Sequence, residues 1–167
     1  PKVSKFLYTS KRLHSKDYSR LRAERERMEL DKAIQFLTTH HRGIVSTIRG
    51  NGLIHSSVIV CGTYKGTAAF VSVYPRSQKI ANLRRNPTCS VLSVSENWRS
   101  YIVAEGQATL FDYSNTDPEN FRIMLREVYR ACSDNPHPDW EEFDAAMVNQ
   151  GAVVVLVDPN RVYGQVR

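Results

Sequence analysis

Ser72-Val73-Tyr74-Pro75-Arg76-Ser77-Gln78-Lys79-Ile80-Ala81-Asn82-Leu83-Arg84-Arg85-Asn86-Pro87 is the stretch on which the reading of this chain turns. An apolar strand carrying Ala68, Phe70, Val71 and Val73 runs into Tyr74-Pro75, and Pro75, with no N–H, cannot extend a ladder. Ser77 is a good N-cap, so a short helix is expected from there, ending at Asn86-Pro87. Arg76 and Lys79 fall at that helix start. Free backbone N–H groups and the positive end of the helix dipole already favour an anion there. Two cations at this end oppose the dipole, and a docked phosphate or carboxylate removes the conflict. The stretch reads as a phosphate site.

Upstream, Leu30, Ala33, Ile34 and Leu37 recur at helical spacing on good helix formers that begin near Ser19, and Gly43 is expected to stop that helix. Gly43 to Arg49 alternates as a strand, with Ile44, Ser46 and Ile48 on one face and Val45 and Thr47 on the other. Gly50-Asn51-Gly52 is a hairpin signal, followed by a strand from about His55 to Val60. Gly62-Thr63-Tyr64-Lys65-Gly66 reads as a turn before a strand over Thr67 to Val73.

Downstream, Thr88 to Val94 and Tyr101 to Phe111 read as strands around the polar loop Ser95 to Ser100, which carries Trp98. Ala104, Gly106 and Ala108 share one face of the long strand and mark a tightly curved barrel wall. Asp117-Pro118 and Asp139 cap two helices, Gly151 to Val157 is a continuous apolar strand, and Asp158-Pro159-Asn160 reads as a turn. The expected architecture is therefore mainly β with flanking helices: a six-stranded antiparallel split β-barrel.

The 167 residues suffice for one well-cored domain, with no apolar run approaching a membrane span. Residues 1 to 27 hold nine Lys or Arg against three acidic residues, which accounts for the whole net charge of +6. A basic arm (1–27) thus precedes a neutral domain (28–167), and nucleic-acid binding is not expected of that domain. Cys61, Cys89 and Cys132 lack metal spacing, and with a polar, basic beginning they fit reduced thiols in a cytoplasmic protein. The five histidines do not cluster at metal spacing either, so no metal is expected.

Lys79-x-x-Asn82-Leu83-x-x-Asn86-Pro87, Trp98 with Tyr101-x-Val103-x-Glu105-Gly106, and Arg161-Val162-Tyr163-Gly164 together resemble the split-barrel flavin and deazaflavin superfamily that includes pyridoxamine 5′-phosphate oxidase. Within it the chain is most similar to oxidoreductases that use the deazaflavin coenzyme F420, over roughly Leu30 to Gly164. The resemblance implies an FMN-binding-like fold and a homodimer with cofactor sites at the subunit interface. It implies that Arg76 and Lys79 bind phosphate with Ser77 and Asn82 beside them, and that Ser57, Val58 and Ser72 line the middle of the cofactor. Trp98 and Tyr101 are expected near the ring or at the dimer contact.

The departures narrow the expectation. Ser57 and Gly62 stand about where the oxidases that make pyridoxal phosphate carry a basic pair, so oxidation of pyridoxamine phosphate is not expected. The expected function is hydride transfer between reduced F420 and an unsaturated small molecule. The alternatives are an FMN-dependent reductase or oxidase of the same fold, and a protein that binds cofactor without turnover. The ring does the chemistry, so no catalytic acid or nucleophile is required of the chain, and none is assigned. Arg84 and Arg85 read as a solvated face or a complement to the helix dipole, and Glu105 as the partner of an Arg across the barrel.

Overall fold

The structure is a computed structural model, and it describes residues 29–167. The basic arm of residues 1–27 lies outside the described residues.

The first helix, α1, is described over residues 29–37 and buries Ala33, Phe36 and Leu37. The strands are β1 (Arg42–Ile48), β2 (Ile54–Val60), β3 (Gly62–Tyr64), β4 (Thr67–Ser72), β5 (Thr88–Val94), β6 (Tyr101–Phe111) and β7 (Val153–Gln165). The remaining helices are α2 (Gln78–Arg85), α3 (Pro118–Ala131) and α4 (Trp140–Gln150). All strands join one antiparallel sheet in the order β2-β1-β5-β6-β7-β4-β3.

The sheet curls until its two ends share one core. Ile59 of β2 and Phe70 of β4 belong to the same buried cluster as Val45, Val91, Ala104 and Val155. Helices α1 and α2 add Leu37, Ile80 and Leu83 to this cluster. A second cluster on the outer side joins Ala69 and Val154 to Phe121, Leu125 and Val128 of α3 and to Phe143 of α4. The middle of β4 and the first half of β7 are therefore covered on both faces, which is why Val153, Val154 and Val155 form an unbroken apolar run.

The structure departs from the sequence reading in three places. Gly62–Tyr64 is a seventh, short strand paired with β4, because Gly62↔Ala69 and Tyr64↔Thr67 bracket a tight Lys65-Gly66 turn. Asp158-Pro159-Asn160 is not the end of a strand; it is an irregularity within β7, where the register shifts opposite Glu105 and Gly106. Gly43 does not stop α1, which ends in a turn at Thr38 and Thr39. It lies inside β1, where a Cβ would stand 2.6 Å from the Leu92 carbonyl oxygen and 2.7 Å from Cys61 Sγ. The Gly50-Asn51-Gly52 hairpin forms as expected, with Gly52 at φ +82°. Among the described residues no helix is long and apolar enough to cross a membrane.

Candidate functional site

After Ser72 the chain turns through Pro75 and Arg76, and the Ser77 N–H donates to the Tyr74 carbonyl at 3.0 Å. Ser77 is the N-cap of α2 with extended backbone (φ −63°, ψ 151°), but its side chain caps nothing. Among the described residues its Oγ is buried without a hydrogen-bond partner, an unusual state for a hydroxyl. Lys79 stands in the first turn, half-buried, and burial holds its ammonium below the usual lysine range. Among the described residues no carboxylate compensates it, and the first turn of α2 contains no acidic residue. Arg76 is exposed beside it. A desolvated cation, an orphan hydroxyl and the free N–H groups of a helix start form a donor set suited to an anion.

The far end of α2 is spent differently. Arg84 pairs with Asp112 at 2.8 Å, and Arg85 donates to the carbonyl of Ile48. Burial works against the Asp112 charge, yet the Ser114 hydroxyl and N–H together with Arg84 hold its carboxyl below the usual range. Arg84 and Arg85 thus serve the C-terminal turn and its neighbours.

Asn82 lies beneath the helix with none of its surface exposed. Its amide NH₂ donates to the Thr47 hydroxyl at 2.9 Å, and its carbonyl accepts from Gln78 at 2.8 Å and from Arg85 at 3.2 Å. Thr47 passes the link on to the His55 carbonyl at 3.2 Å. Thr47 is absent from the residues singled out in the sequence, since its partner lies 35 positions away. The Nδ1 of His55 is, with Ser77 Oγ, the other buried side-chain atom lacking a partner among the described residues. Ser77 caps α2, whereas His55 lies on β2, whose backbone the Thr47 hydroxyl reaches.

Ser57 and Val58, neighbours on β2, face opposite sides of the sheet: Ser57 is half-buried, whereas Val58 is 85% exposed. Ser72 is buried, its hydroxyl 3.4 Å from the Tyr74 carbonyl oxygen. Trp98 and Tyr101 are not near Lys79. Tyr101 opens β6 and Trp98 lies in the loop before it, whereas Ser72 pairs with Val153 near the Phe111 end of β6. Eleven residues of strand, about 35 Å at the usual rise, separate the two ends. Glu105 pairs with Arg161 at 3.8 Å and accepts from the Tyr163 hydroxyl at 3.2 Å.

A curled seven-stranded antiparallel sheet with a short helix packed against β1 and flanking helices outside defines the split-barrel class of fold. The chain belongs to the pyridoxamine 5′-phosphate oxidase family, whose model matches residues 30–166. Solved structures agree on the fold. A conserved hypothetical protein from Mycobacterium tuberculosis superposes with a TM-score of 0.65 at 22% identity, covering 80% of this chain and 82% of its own. An F420 reductase gives 0.52 at 18% identity, with coverage of 76% and 92%. A pyridoxamine 5′-phosphate oxidase-related, FMN-binding protein from Nostoc punctiforme gives 0.55 at 16% identity, with coverage of 91% and 84%.

Proposed function

We propose that this protein is a homodimeric oxidoreductase that uses coenzyme F420 and passes a hydride between the reduced cofactor and an unsaturated small molecule. The observation that carries the reading is the start of α2, where, among the described residues, Lys79 is desolvated without a counter-charge and the Ser77 hydroxyl is buried without a partner. Phosphate docked there would compensate the first and satisfy the second, with exposed Arg76 adding a second cation. The shared fold of a solved F420 reductase is compatible with this reading.

When bound, the deazaflavin supplies the hydride chemistry. The chain binds, orients and excludes water. Asn82 and Thr47 hold α2 against β1, so the donors at its start are fixed in advance. Strand β2 is an edge of the sheet, which leaves alternate backbone N–H groups near Ser57 and Val58 free to hydrogen-bond a ring. Ser57 and Ser72 add hydroxyls along the middle of the cofactor. Trp98 and Tyr101 join this site from a second copy, because Tyr101 opens β6 and Trp98 lies in the loop before it, at the other end of that strand.

The test is a titration of cofactor-free protein with F420 and, separately, with FMN, followed by cofactor fluorescence at low and moderate salt. Tight F420 binding with weak FMN binding supports the reading, and a screen of conjugated acceptors with reduced F420 then identifies the substrate. Preference for FMN replaces it with a flavin reductase or oxidase. Tight binding with no hydride transfer to any acceptor leaves a cofactor-binding protein. Binding of neither removes the phosphate role of Arg76 and Lys79.

A further inference from the structure

Helices α3 and α4 do more than cover β4 and β7. Between them the outer layer leaves an open groove of about 570 Å³. Tyr113, Pro118, Ala145 and Val148 give the groove an apolar floor, in which Val148 stays 55% exposed. Glu119 and Asp144 stand on its walls and share Arg122, which donates to Glu119 from Nε at 2.9 Å and to Asp144 from Nη1 at 3.3 Å. Glu141 lies one turn before Ala145 on the face of α4 that carries Val148, exposed and without an ion pair among the described residues.

Charge is segregated around this groove. Residues 117–150, which hold both helices and their caps, carry eight acidic residues against three arginines. Residues 28–167 as a whole carry equal numbers of each sign, so the barrel outside the α3–α4 layer holds the balancing positive excess. A cationic segment is therefore drawn to the α3–α4 layer and repelled by the barrel. The sequence supplies such a segment. Residues 1–27 carry nine Lys or Arg against three acidic residues, and their first part interleaves Phe6-Leu7-Tyr8 with Lys2, Lys5, Lys11 and Arg12.

We propose that the α3–α4 groove is the docking site for this chain's own basic arm, with Phe6-Leu7-Tyr8 on the apolar floor and the flanking cations against Glu119 and Glu141. This goes beyond the F420 reading and does not depend on it. The pairing matches aromatic anchors to an exposed apolar floor and cations to a negative rim, the combination that gives an interface both affinity and register. Reach permits it within one chain. The twenty-one residues from Tyr8 to Glu29, where the described part of α1 begins, span up to about 70 Å when extended. That is about twice the length of β6, the strand that runs from the Tyr101 end of the barrel to Phe111, close to the Tyr113 wall of the groove.

The experiment uses the full chain. Cys61, Cys89 and Cys132 are buried, so Asn149→Cys in the groove wall takes a nitroxide label selectively, and Asn51→Cys at the tip of the β1–β2 hairpin serves as the control. The label at position 149 is expected to broaden the amide resonances of residues 5–12, less so at high salt, and the label at position 51 to leave them sharp. Val148→Lys, at an exposed position, is expected to keep the melting temperature and abolish the broadening. It should also let trypsin cleave within the arm about 10-fold faster, the scale of one lost anchor. Broadening from neither label, or from position 51 alone, overturns the proposal, as do equal trypsin rates in wild type and Val148→Lys. Mixing nitroxide-labelled chains with separate isotope-labelled chains should leave the arm resonances sharp. Full broadening in that mixture overturns the same-chain assignment and gives the groove to a second copy's arm.

Discussion

Asn82, wholly buried on α2, donates its side-chain amide to the hydroxyl of Thr47 on β1 at 2.9 Å. This bond ties α2 to the barrel wall, and both groups lack a solvent alternative. Asn82→Ala leaves the Thr47 hydroxyl, the Gln78 amide and one Arg85 N–H short of an acceptor or donor. The expected cost is about 1–3 kcal/mol, read as a lowered denaturant midpoint at unchanged slope. Thr47→Ser, which keeps the hydroxyl, should recover most of the stability that Thr47→Val loses. Equal losses in the two Thr47 variants would show that packing, not the bond, holds the helix.

The backbone of this fold was legible where side-chain pattern and turn chemistry coincide. Gly50-Asn51-Gly52 announced the β1–β2 hairpin, and Pro75 with Ser77 announced the break between β4 and α2. What escaped was structure without a local signature. Strand β3 is three residues that begin with Gly62 and run straight into the Lys65-Gly66 turn, and Asp158-Pro159-Asn160 carries turn chemistry inside a strand held by its neighbours. In the site, the charge of Lys79 was visible at a helix start. The burial of Asn82 was not, because an asparagine on an eight-residue helix gives no sign of facing inward. The separation of Trp98 and Tyr101 from Lys79 depends on strand register, which no local motif encodes.

Gly106 occupies the register shift between β6 and β7, where a Cβ would stand 1.9 Å from the Asp158 carbonyl oxygen and 2.7 Å from its carbon. These are backbone atoms of the facing strand and cannot swing aside. Gly106→Ala is therefore expected to destabilise the protein by roughly 2–4 kcal/mol, in the range of severe overpacking. Thermal unfolding checks this. A melting temperature within a degree or two of wild type would mean that β7 shifts freely at Asp158-Pro159.

Asp144 joins α4 to α3 by accepting from Arg126 Nε at 2.9 Å and from Arg122 Nη1 at 3.3 Å. The Arg126 hydrogen bond, outweighing burial and assisted by Arg122, holds its carboxyl below the usual value of 3.8. As the pH falls through that value the unfolded chain takes up the proton first, so the stabilisation is present at neutral pH and is lost in acid. Asp144→Asn should lower stability at neutral pH by about 1–3 kcal/mol and flatten the acid limb of the stability profile. Urea midpoints measured from neutral pH down to the acid transition test both. An unchanged acid limb would remove Asp144 from the groups that set it.

Lys79 separates binding from folding. Its ammonium is partly desolvated and has no counter-charge among the described residues, so in cofactor-free protein the unfolded chain holds this proton more tightly than the folded one. Stability then rises with pH as the solution approaches the usual lysine value of 10.5 from below, the reverse of the behaviour of a lysine in an ion pair. Lys79→Met should leave the cofactor-free fold as stable as wild type or more so at neutral pH, and should reduce that alkaline rise. In the proposed site the same substitution would remove a charge-assisted contact to phosphate, and it should weaken F420 binding about 10- to 100-fold, with a smaller salt dependence than wild type. Arg76→Met, at a more exposed cation, should weaken binding less. Unchanged affinity in Lys79→Met would place the phosphate elsewhere, whereas weakened affinity with a matching loss of cofactor-free stability would make Lys79 a structural residue. Weakened affinity in a protein that is no less stable is the combination a phosphate-binding lysine requires.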